Sequence, residues 1–169
     1  VAVEPSEACR EQLMRDGVLS FATLSGVAEG QRSPFDIIRL NWSLEHMHDP
    51  VGLFTGLREL CGMHAKMIVT VPNYDGISYR YAPECIEAPL HLQYFTPDSI
   101  KKLCSLTGFH LERLHSFCTP SLLAFVIAFK EHKDPDTVLW RERRRILKLM
   151  DEAHQMDKGD ELFCLISPR

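Results

Sequence analysis

The first residues of the chain place a carboxylate where an open α/β sheet binds its ligands. Residues 1–3 read as a short apolar strand that ends on the acid Glu4, and Ser6 can cap a helix directly after it. In open α/β sheets ligands bind at the carboxyl ends of the strands, where an acid can bond both hydroxyls of a nucleoside ribose. Glu4 is therefore a candidate nucleoside-binding residue.

The position of this strand in the sequence predicts an incomplete domain. A strand, an acid and a helix start are typical of the second strand of a nucleotide-binding α/β domain, which follows a first strand and a glycine-rich turn. Residues 1–169 contain no such opening unit. We therefore expect the chain to be the latter part of a domain whose first unit lies upstream of Val1.

Composition indicates one globular domain and argues against two classes of partner. The chain has 169 residues, of which 45% are hydrophobic and 25% charged, as in ordinary soluble proteins. A formal net charge of -4 provides no global attraction for nucleic acid or anionic membranes. No apolar run reaches the roughly 18 residues of a membrane span, and no signal peptide is visible. We expect neither a nucleic-acid nor a membrane partner.

The cysteine pattern predicts free thiols. None of the six cysteines forms a Cys-x-x-Cys pair, and several occupy apolar positions of predicted helices. This pattern favours a reduced, cytoplasmic protein with buried thiols over a disulfide framework or a zinc site. The six are Cys9, Cys61, Cys85, Cys104, Cys118 and Cys164.

Strand and helix patterns alternate along most of the chain. Helix starts are marked by a capping residue, in four cases followed by proline, which is favoured at the first helical position. Such alternation is typical of a mostly parallel sheet with helices on both faces, a three-layer α/β/α arrangement. Helices are predicted to begin at Ser6, Asp49, Thr96, Thr119 and Asp134, and strands to cover about 18–21, 35–40, 66–71, 109–117 and 161–166.

The last third of the chain is predicted to be largely helical. Residues 122–129 are apolar without a clear period, so a helix is favoured but a strand remains open. The start at Asp134 leads into a long segment that ends near Met156. Residues 119–157 are therefore predicted to form a helical segment before the last strand.

Six short segments in a fixed order resemble a known family. They are VAVEPS (1–6), FDIIRLN (35–41), LEHMHDP (44–50), VTVPN (69–73), HLQYFTP (91–97) and GF (108–109). Together they resemble class I S-adenosylmethionine-dependent methyltransferases, in the branch that includes ubiquinone-pathway O-methyltransferases and many small-molecule and sugar methyltransferases. The resemblance covers about residues 1–117, and 159–167 is similar to the family's last strand. Residues 119–157 would then be a helical insertion within a single, partial domain.

The resemblance implies a Rossmann-like sheet and a cofactor. In the family the strand order is three, two, one, four, five, seven, six, and the seventh strand is antiparallel. S-adenosylmethionine is the implied cofactor, with S-adenosylhomocysteine as product. The resemblance implies that Glu4 holds the ribose hydroxyls and that the corner Leu40, Asn41 and Trp42 lies beside the cofactor. The adenine is expected near residues 23–26, but Val27 stands near the usual acid, so we predict no adenine contact there.

The missing first strand would be central in such a sheet. Without it, the second strand is separated from the fourth, and backbone donors and acceptors on the facing edges of these two strands stay unpaired. We expect residues 1–169 to pair these two strands directly, to borrow a strand from another copy, or to fold poorly. A homo-oligomer through the unpaired sheet edge is one expected outcome.

Methyl transfer from a sulfonium is an in-line displacement that needs alignment more than catalytic side chains. For a hydroxyl acceptor, a base within hydrogen-bond reach would help, and the candidate catalytic residues are His91 and His46. A structural alternative stays open for each. His91 can instead stabilise its loop by a hydrogen bond to the backbone, and His46 can stabilise a turn together with Glu45.

Some relatives bind a metal through a Glu-x-x-Glu-His motif and a later histidine. Glu45, His46 and His91 match three of these positions, but Trp42 replaces the first glutamate. The remaining set is poor for a hard cation, so we predict no metal. Trp42 is predicted to be a wall of the acceptor pocket or, alternatively, a packed core indole.

All four tyrosines lie between residues 74 and 94, on the segment expected to cover the acceptor site. Tyrosine suits a surface that is apolar on one side and wet on the other, so these side chains are candidate substrate-binding residues for an aromatic or sugar-like acceptor. The alternative is an ordinary loop anchored by aromatic rings. The four are Tyr74, Tyr79, Tyr81 and Tyr94.

Three functions compete at this point. The favoured one is an S-adenosylmethionine-dependent methyltransferase that acts on a small-molecule acceptor by O- or C-methylation, present here without its first cofactor-binding motif. The alternative is a non-catalytic, methyltransferase-like binding or assembly module. An RNA-end methyltransferase is the third, and the acidic net charge weighs against it.

Overall fold

The structure, a computed structural model, describes residues 1–30, 34–85 and 90–169. Strands and helices alternate as far as β5 and are followed by a group of three helices and a last strand. The strands are β1 (Ala2–Val3), β2 (Ser20–Phe21), β3 (Phe35–Asn41), β4 (Cys61–Pro72), β5 (Phe109–Phe117) and β6 (Glu161–Pro168). The helices are α1 (Glu7–Arg15), α2 (Leu24–Gly30), α3 (Pro50–Leu60), α4 (Ile77–Tyr81), α5 (Pro97–Leu106), α6 (Pro120–Glu131), α7 (Pro135–Arg141) and α8 (Arg143–Gln155), with 3-10 turns at Leu44–His46 and Pro83–Cys85.

The strands form two separate sheets. β1 pairs in parallel with β2, and the larger sheet has the order β3-β4-β6-β5. Within the larger sheet β3 is parallel to β4, and β6 is antiparallel to both of its neighbours. This confirms the predicted Rossmann-like α/β fold, because strands four, five, seven and six of the family stand in that order.

The two sheets do not join through β1 and β3. Among the described residues β1 bonds only to β2 and β3 only to β4, so the structure does not have the first of the three expected outcomes, direct pairing of these strands. Apolar side chains lie exposed at both strands: Val1, directly before β1, and Val3 are 55% and 46% exposed, and Ile37 of β3 is 68% exposed. Helix α2 connects the two parts instead, since Leu24 packs against the main core. The described residues thus leave β3 with an unpaired edge.

The core consists of two apolar clusters. The main one lies between the larger sheet and helices α3 and α5, where the rings of Phe54 and Phe109 meet edge to face at 5.6 Å. Full burial of each ring contributes about 2 to 3 kcal/mol of transfer free energy. The second cluster joins α4 to α6, α7 and α8 through Ile77, Leu123 and Ile146. None of the helices in the described part of the chain has the length and apolar content needed to cross a membrane.

Several predicted element ends match the structure, and others do not. Helix α1 ends before Gly17, which adopts a φ of +77° as expected of a terminating glycine. Helix α3 stops at Leu60, and β4 begins at once with Cys61, five residues before the predicted start of this strand. Residues 23–26, near which the adenine is expected, are largely helical, because α2 begins at Leu24 and buries Val27.

The cysteines differ in burial. Cys104 and Cys164 are buried as predicted, whereas Cys9 is exposed on α1, contrary to expectation. Cys61 and Cys118 are half-buried, and all five of these thiols are free. Cys85 lies outside the residues whose side chains are described.

Residues 120–155 form three helices, which settles the open choice for residues 122–129 in favour of a helix. The long segment after Asp134 is broken at Glu142, which ends α7 and begins α8. Lys133 and Arg145 both pair with Glu142, and Arg145 also pairs with Glu131 at 2.7 Å. Arg145 is therefore held by ion pairs within the helical segment.

Gly159 is the residue at which the helical segment returns to the sheet, and it leaves no room for a side chain. A Cβ atom there would lie 2.3 Å from the backbone nitrogen of Phe117. Gly159→Ala should therefore destabilise the fold by at least about 2 kcal/mol in urea unfolding. Gly26→Ala is the matched control: its Cβ would meet Phe21 at an ordinary 3.5 Å in a helix, so it should be neutral or stabilising. Equal stabilities of the two variants would contradict this account.

Candidate functional site

A cavity lies where β3 and β4 end and β6 begins. Because β6 is antiparallel to β4, Glu161 pairs with Pro72, and the first residues of β6 reach the edge at which the parallel strands finish. The cavity has a volume of about 290 Å³. We call it the strand-end cavity; it is lined by Trp42, Glu45, His46, Pro72, Tyr79, His91, Leu122, Asp160 and Glu161.

Trp42 forms a wall of the strand-end cavity from a strained backbone. Its φ of 46° lies in the left-handed region, which bulky residues rarely adopt and which is often found at functional sites. Asn41, the residue before Trp42 in this corner, is held in place because its Oδ1 accepts a hydrogen bond from Thr70 Oγ1 at 2.7 Å. The Trp42 indole is 53% exposed, and its Nε1 donates to Glu161 Oε2 at 2.9 Å. Trp42 is thus a cavity wall and not a packed core residue.

Two histidines reach the cavity from different segments. The backbone carbonyl of Glu45 accepts hydrogen bonds from the Leu92 and Gln93 amides at 2.9 and 3.0 Å, which fastens the loop that carries His91. The rings of His46 and His91 are 5.0 Å apart between centroids. His46 Nδ1 lies 2.8 Å from the carbonyl of Leu90. Since a carbonyl only accepts, Nδ1 donates in this contact, and the other ring nitrogen, Nε2, lies 4.0 Å from Glu45 Oε1.

The same two histidines and Glu45 could hold a cation. One possible ligand atom from each of the three residues lies within 4.8 Å of the others. Two imidazoles and one carboxylate suit zinc or iron better than magnesium. The sequence-based expectation that no metal binds here stays a prediction.

Two buried acids at the start of β6 were missed by sequence reasoning. Asp160 is 1% exposed and Glu161 is 6% exposed, and both line the cavity beside the buried Glu45. Burial raises the pKa of Asp160, although the Ser78 amide that donates to its Oδ1 at 2.7 Å opposes the shift. Burial likewise raises the pKa of Glu161, against the hydrogen bond from Trp42. The sequence signal was an acidic pair directly after Gly159, at the start of a predicted strand.

Asn73 fixes the two acids in place. It is fully buried, its Nδ2 donates to the Gly159 carbonyl at 2.7 Å, and its backbone amide donates to the Asp160 carbonyl at 2.7 Å. Both bonds join the end of β4 to the start of β6. Asn73 of the VTVPN segment therefore positions the two carboxylates. It is not itself one of the residues that line the cavity.

The structure brings together three of the four predicted substrate-binding tyrosines. Tyr79 lines the cavity, and Tyr74 lies against Tyr79 and Tyr94 with ring centroids 5.5 and 5.2 Å apart. Tyr81 lies elsewhere: its hydroxyl donates to Glu131 at 3.2 Å and also contacts Arg145. Tyr81 anchors α4 to the helical segment and is not one of the residues that line the strand-end cavity.

Glu4 and Leu40 lie at the ends of β1 and β3. The Glu4 amide donates to the Phe21 carbonyl at 2.9 Å, which holds the residue beside β2. Its Oε1 accepts from the Ser6 amide at 2.8 Å, while no donor among the described residues reaches Oε2. An open carboxylate oxygen suits a ribose hydroxyl. Leu40 packs partly against the main core.

A second cavity of about 270 Å³ lies beside the end of β5 and includes Cys118, Asp151 and His154 in its lining. Burial, followed by the negative charge of Asp160, raises the pKa of the Cys118 thiol to about 12. The thiol is therefore protonated at neutral pH and is no nucleophile. This cavity offers less chemistry than the strand-end cavity.

Comparison with known proteins identifies the family. The sequence profile of the family described as "Methyltransferase domain" matches residues 1–114, about two thirds of the chain. The chain belongs to this methyltransferase family. Its cofactor is S-adenosylmethionine, as the sequence resemblance implied. No curated protein sequence matches the chain significantly.

Solved structures show the same fold at low sequence identity. The plantazolicin methyltransferase BamL, crystallised with S-adenosylhomocysteine, has a TM-score of 0.57 and 13% identity, with 98% of this chain and 66% of that chain covered. A possible histamine N-methyltransferase from Thermotoga maritima has a TM-score of 0.60 and 14% identity, with 98% of this chain and 70% of that chain covered. A cyclopropane synthase from Mycobacterium tuberculosis has a TM-score of 0.59 and 15% identity, with 99% of this chain and 69% of that chain covered. The chain thus spans about two thirds of the length of these methyltransferases.

The residues present fit the family's cofactor in part. Glu4 would hold the ribose through its open oxygen, and the corner of Asn41 and Trp42 stands at the strand end next to the cavity. The glycine-rich turn expected against the methionine part has no counterpart in residues 1–169. The described residues therefore fit the ribose part of the cofactor better than its methionine part.

The raised pKa of Glu161 predicts a stability effect with a definite pH dependence. Because the folded-state pKa lies above the ordinary 4.5, the favourable contribution of the protonated form exists below pH 4.5 and is lost as the pH rises through the folded value. Glu161→Gln keeps an oxygen for the Trp42 indole and removes the charge. It should be more stable than the parent in urea unfolding at pH 7, with a difference that shrinks towards pH 4.5. A variant less stable at pH 7 would contradict the assignment.

Proposed function

We propose that residues 1–169 are part of an S-adenosylmethionine-dependent methyltransferase that methylates a small molecule in the strand-end cavity. The observation that carries this proposal is the cavity's place, next to the Asn41 and Trp42 corner in a chain of the methyltransferase family. A volume of about 290 Å³ lies at the lower end of the range for small-ligand sites. A compact acceptor fits this size better than a polymer.

The side chains of the cavity have distinct parts in such a reaction. S-adenosylmethionine, when bound, supplies a methyl group activated by its positively charged sulfur. Glu4 orients the ribose, and the aromatic walls formed by Trp42 and Tyr79 align the acceptor and exclude water. The lone pair on His46 Nε2 can take the proton that a hydroxyl or amine acceptor loses, and His91 is the second candidate for this role.

We further propose that the site is completed by a strand that residues 1–169 do not provide. The unpaired edge of β3, the exposed Ile37 and the exposed Val1 and Val3 support a strand inserted between β1 and β3. The strand can come from sequence outside these residues or from a second copy in a homo-oligomer. The cytoplasmic location inferred from the cysteines stays a prediction, and the non-catalytic module remains the alternative function.

Calorimetric titration of S-adenosylhomocysteine tests the proposal. We expect measurable binding by the full-length protein that contains residues 1–169 and none by residues 1–169 alone, because the glycine-rich turn is part of the cofactor site. Equal affinity of both forms would overturn the incomplete-site proposal and leave the function standing. Absence of binding by both forms would favour the non-catalytic module.

A pair of glutamate variants tests the ribose contact in the full-length protein. Glu4→Gln should weaken S-adenosylhomocysteine binding about tenfold or more, since a carboxylate that accepts from two hydroxyls forms charge-assisted hydrogen bonds. Glu7→Gln removes an exposed charge three residues away on α1 and should leave the affinity unchanged. Identical affinities of the two variants would remove Glu4 from the cofactor site.

A further inference from the structure

The strand-end cavity is acidic on the side of β6. The carboxylates of Asp160 and Glu161 line it, and the two residues are 1% and 6% exposed. None of the described residues that line the cavity is lysine or arginine. A buried carboxylate is unfavourable unless it is paired with positive charge or fully hydrogen-bonded. The cavity therefore favours a positively charged occupant.

Glu161 shows where such an occupant would bind. Trp42 Nε1 occupies Oε2 at 2.9 Å, but no hydrogen-bond donor among the described residues reaches Oε1. This oxygen belongs to a side chain that is almost completely buried and lines the cavity. A ligand that carries an N–H⁺ group would complete the hydrogen bonding of the carboxylate.

The aromatic walls match the same kind of ligand. The Trp42 indole is 53% exposed beside Glu161, and Tyr79 lines the cavity with it. Indole and phenol rings attract cations over their faces, by about 0.5 to 2 kcal/mol depending on exposure. A carboxylate next to an exposed indole is a combination that recognises an ammonium group and not a neutral hydroxyl.

We propose that the methyl acceptor is a small amine, bound as its ammonium ion by Glu161 and Trp42. This inference rests on the proposed function and names its substrate class. An alcohol of the same shape would donate one hydrogen bond and bring no positive charge to Asp160 and Glu161. The amine instead supplies both the donor and the charge.

The chemistry balances with residues already in the cavity. One ammonium proton passes to Glu161 Oε1, or to His46 Nε2, which frees the nitrogen lone pair. The lone pair forms the new N–C bond to the methyl group while the C–S bond breaks. The positive charge of the sulfonium ends on the methylated nitrogen, so no further reactant is needed.

The test compares two probes of equal shape, benzylamine and benzyl alcohol, titrated into the full-length protein saturated with S-adenosylhomocysteine. We expect benzylamine to bind at least tenfold more tightly at pH 7.5. Glu161→Gln should reduce this preference at least tenfold while keeping affinity for the cofactor product. Glu59→Gln, which removes an exposed acid from α3, should keep the preference.

Other outcomes overturn the inference without touching the proposed function. If S-adenosylhomocysteine binds but amine and alcohol bind equally, or if Glu161→Gln keeps the preference, the acceptor is not selected as a cation. Zinc binding that is lost in His91→Ala and that blocks benzylamine would assign the acids to a metal site. If S-adenosylhomocysteine itself does not bind, the proposed function fails first.

Discussion

The direction of β6 is the constraint on which the candidate site depends. A strand that runs antiparallel between two parallel strands begins where its neighbours end, so residues more than eighty positions apart in the sequence meet at one edge of the sheet. Asp160 and Glu161 reach the cavity for this reason alone. Gly159 permits the close return from the helical segment, and Asn73 joins it to the end of β4.

The same edge concentrates features that weaken the fold. Two acids with raised pKa values are buried there, and Trp42 adopts a left-handed backbone conformation beside them. Natural proteins retain such local strain mainly where a ligand uses it. The hydrogen bond from Trp42 to Glu161 links the two features, so the strained corner also sets the direction of the carboxylate. Binding a cation would relieve the repulsion among the acids.

Local patterns predicted the parts of the site that lie close to strand ends. Glu4 and Trp42 were expected at strand ends, and the structure places them directly after β1 and β3; their roles stay predictions. The acids of β6 could not be assigned in this way, because their approach depends on a register between distant strands. Tyr81 illustrates the opposite case: sequence proximity to Tyr79 suggested a shared role, whereas two positions along α4, about half a helical turn, separate a cavity wall from an ion network.

A crystal structure of the full-length protein with S-adenosylhomocysteine tests the central claim most directly. The account predicts that Glu4 holds the ribose, that an added strand lies between β1 and β3, and that the sulfur faces the strand-end cavity beside Trp42. A cofactor product whose sulfur is closed off from this cavity, or which leaves Glu4 without a contact, would contradict it.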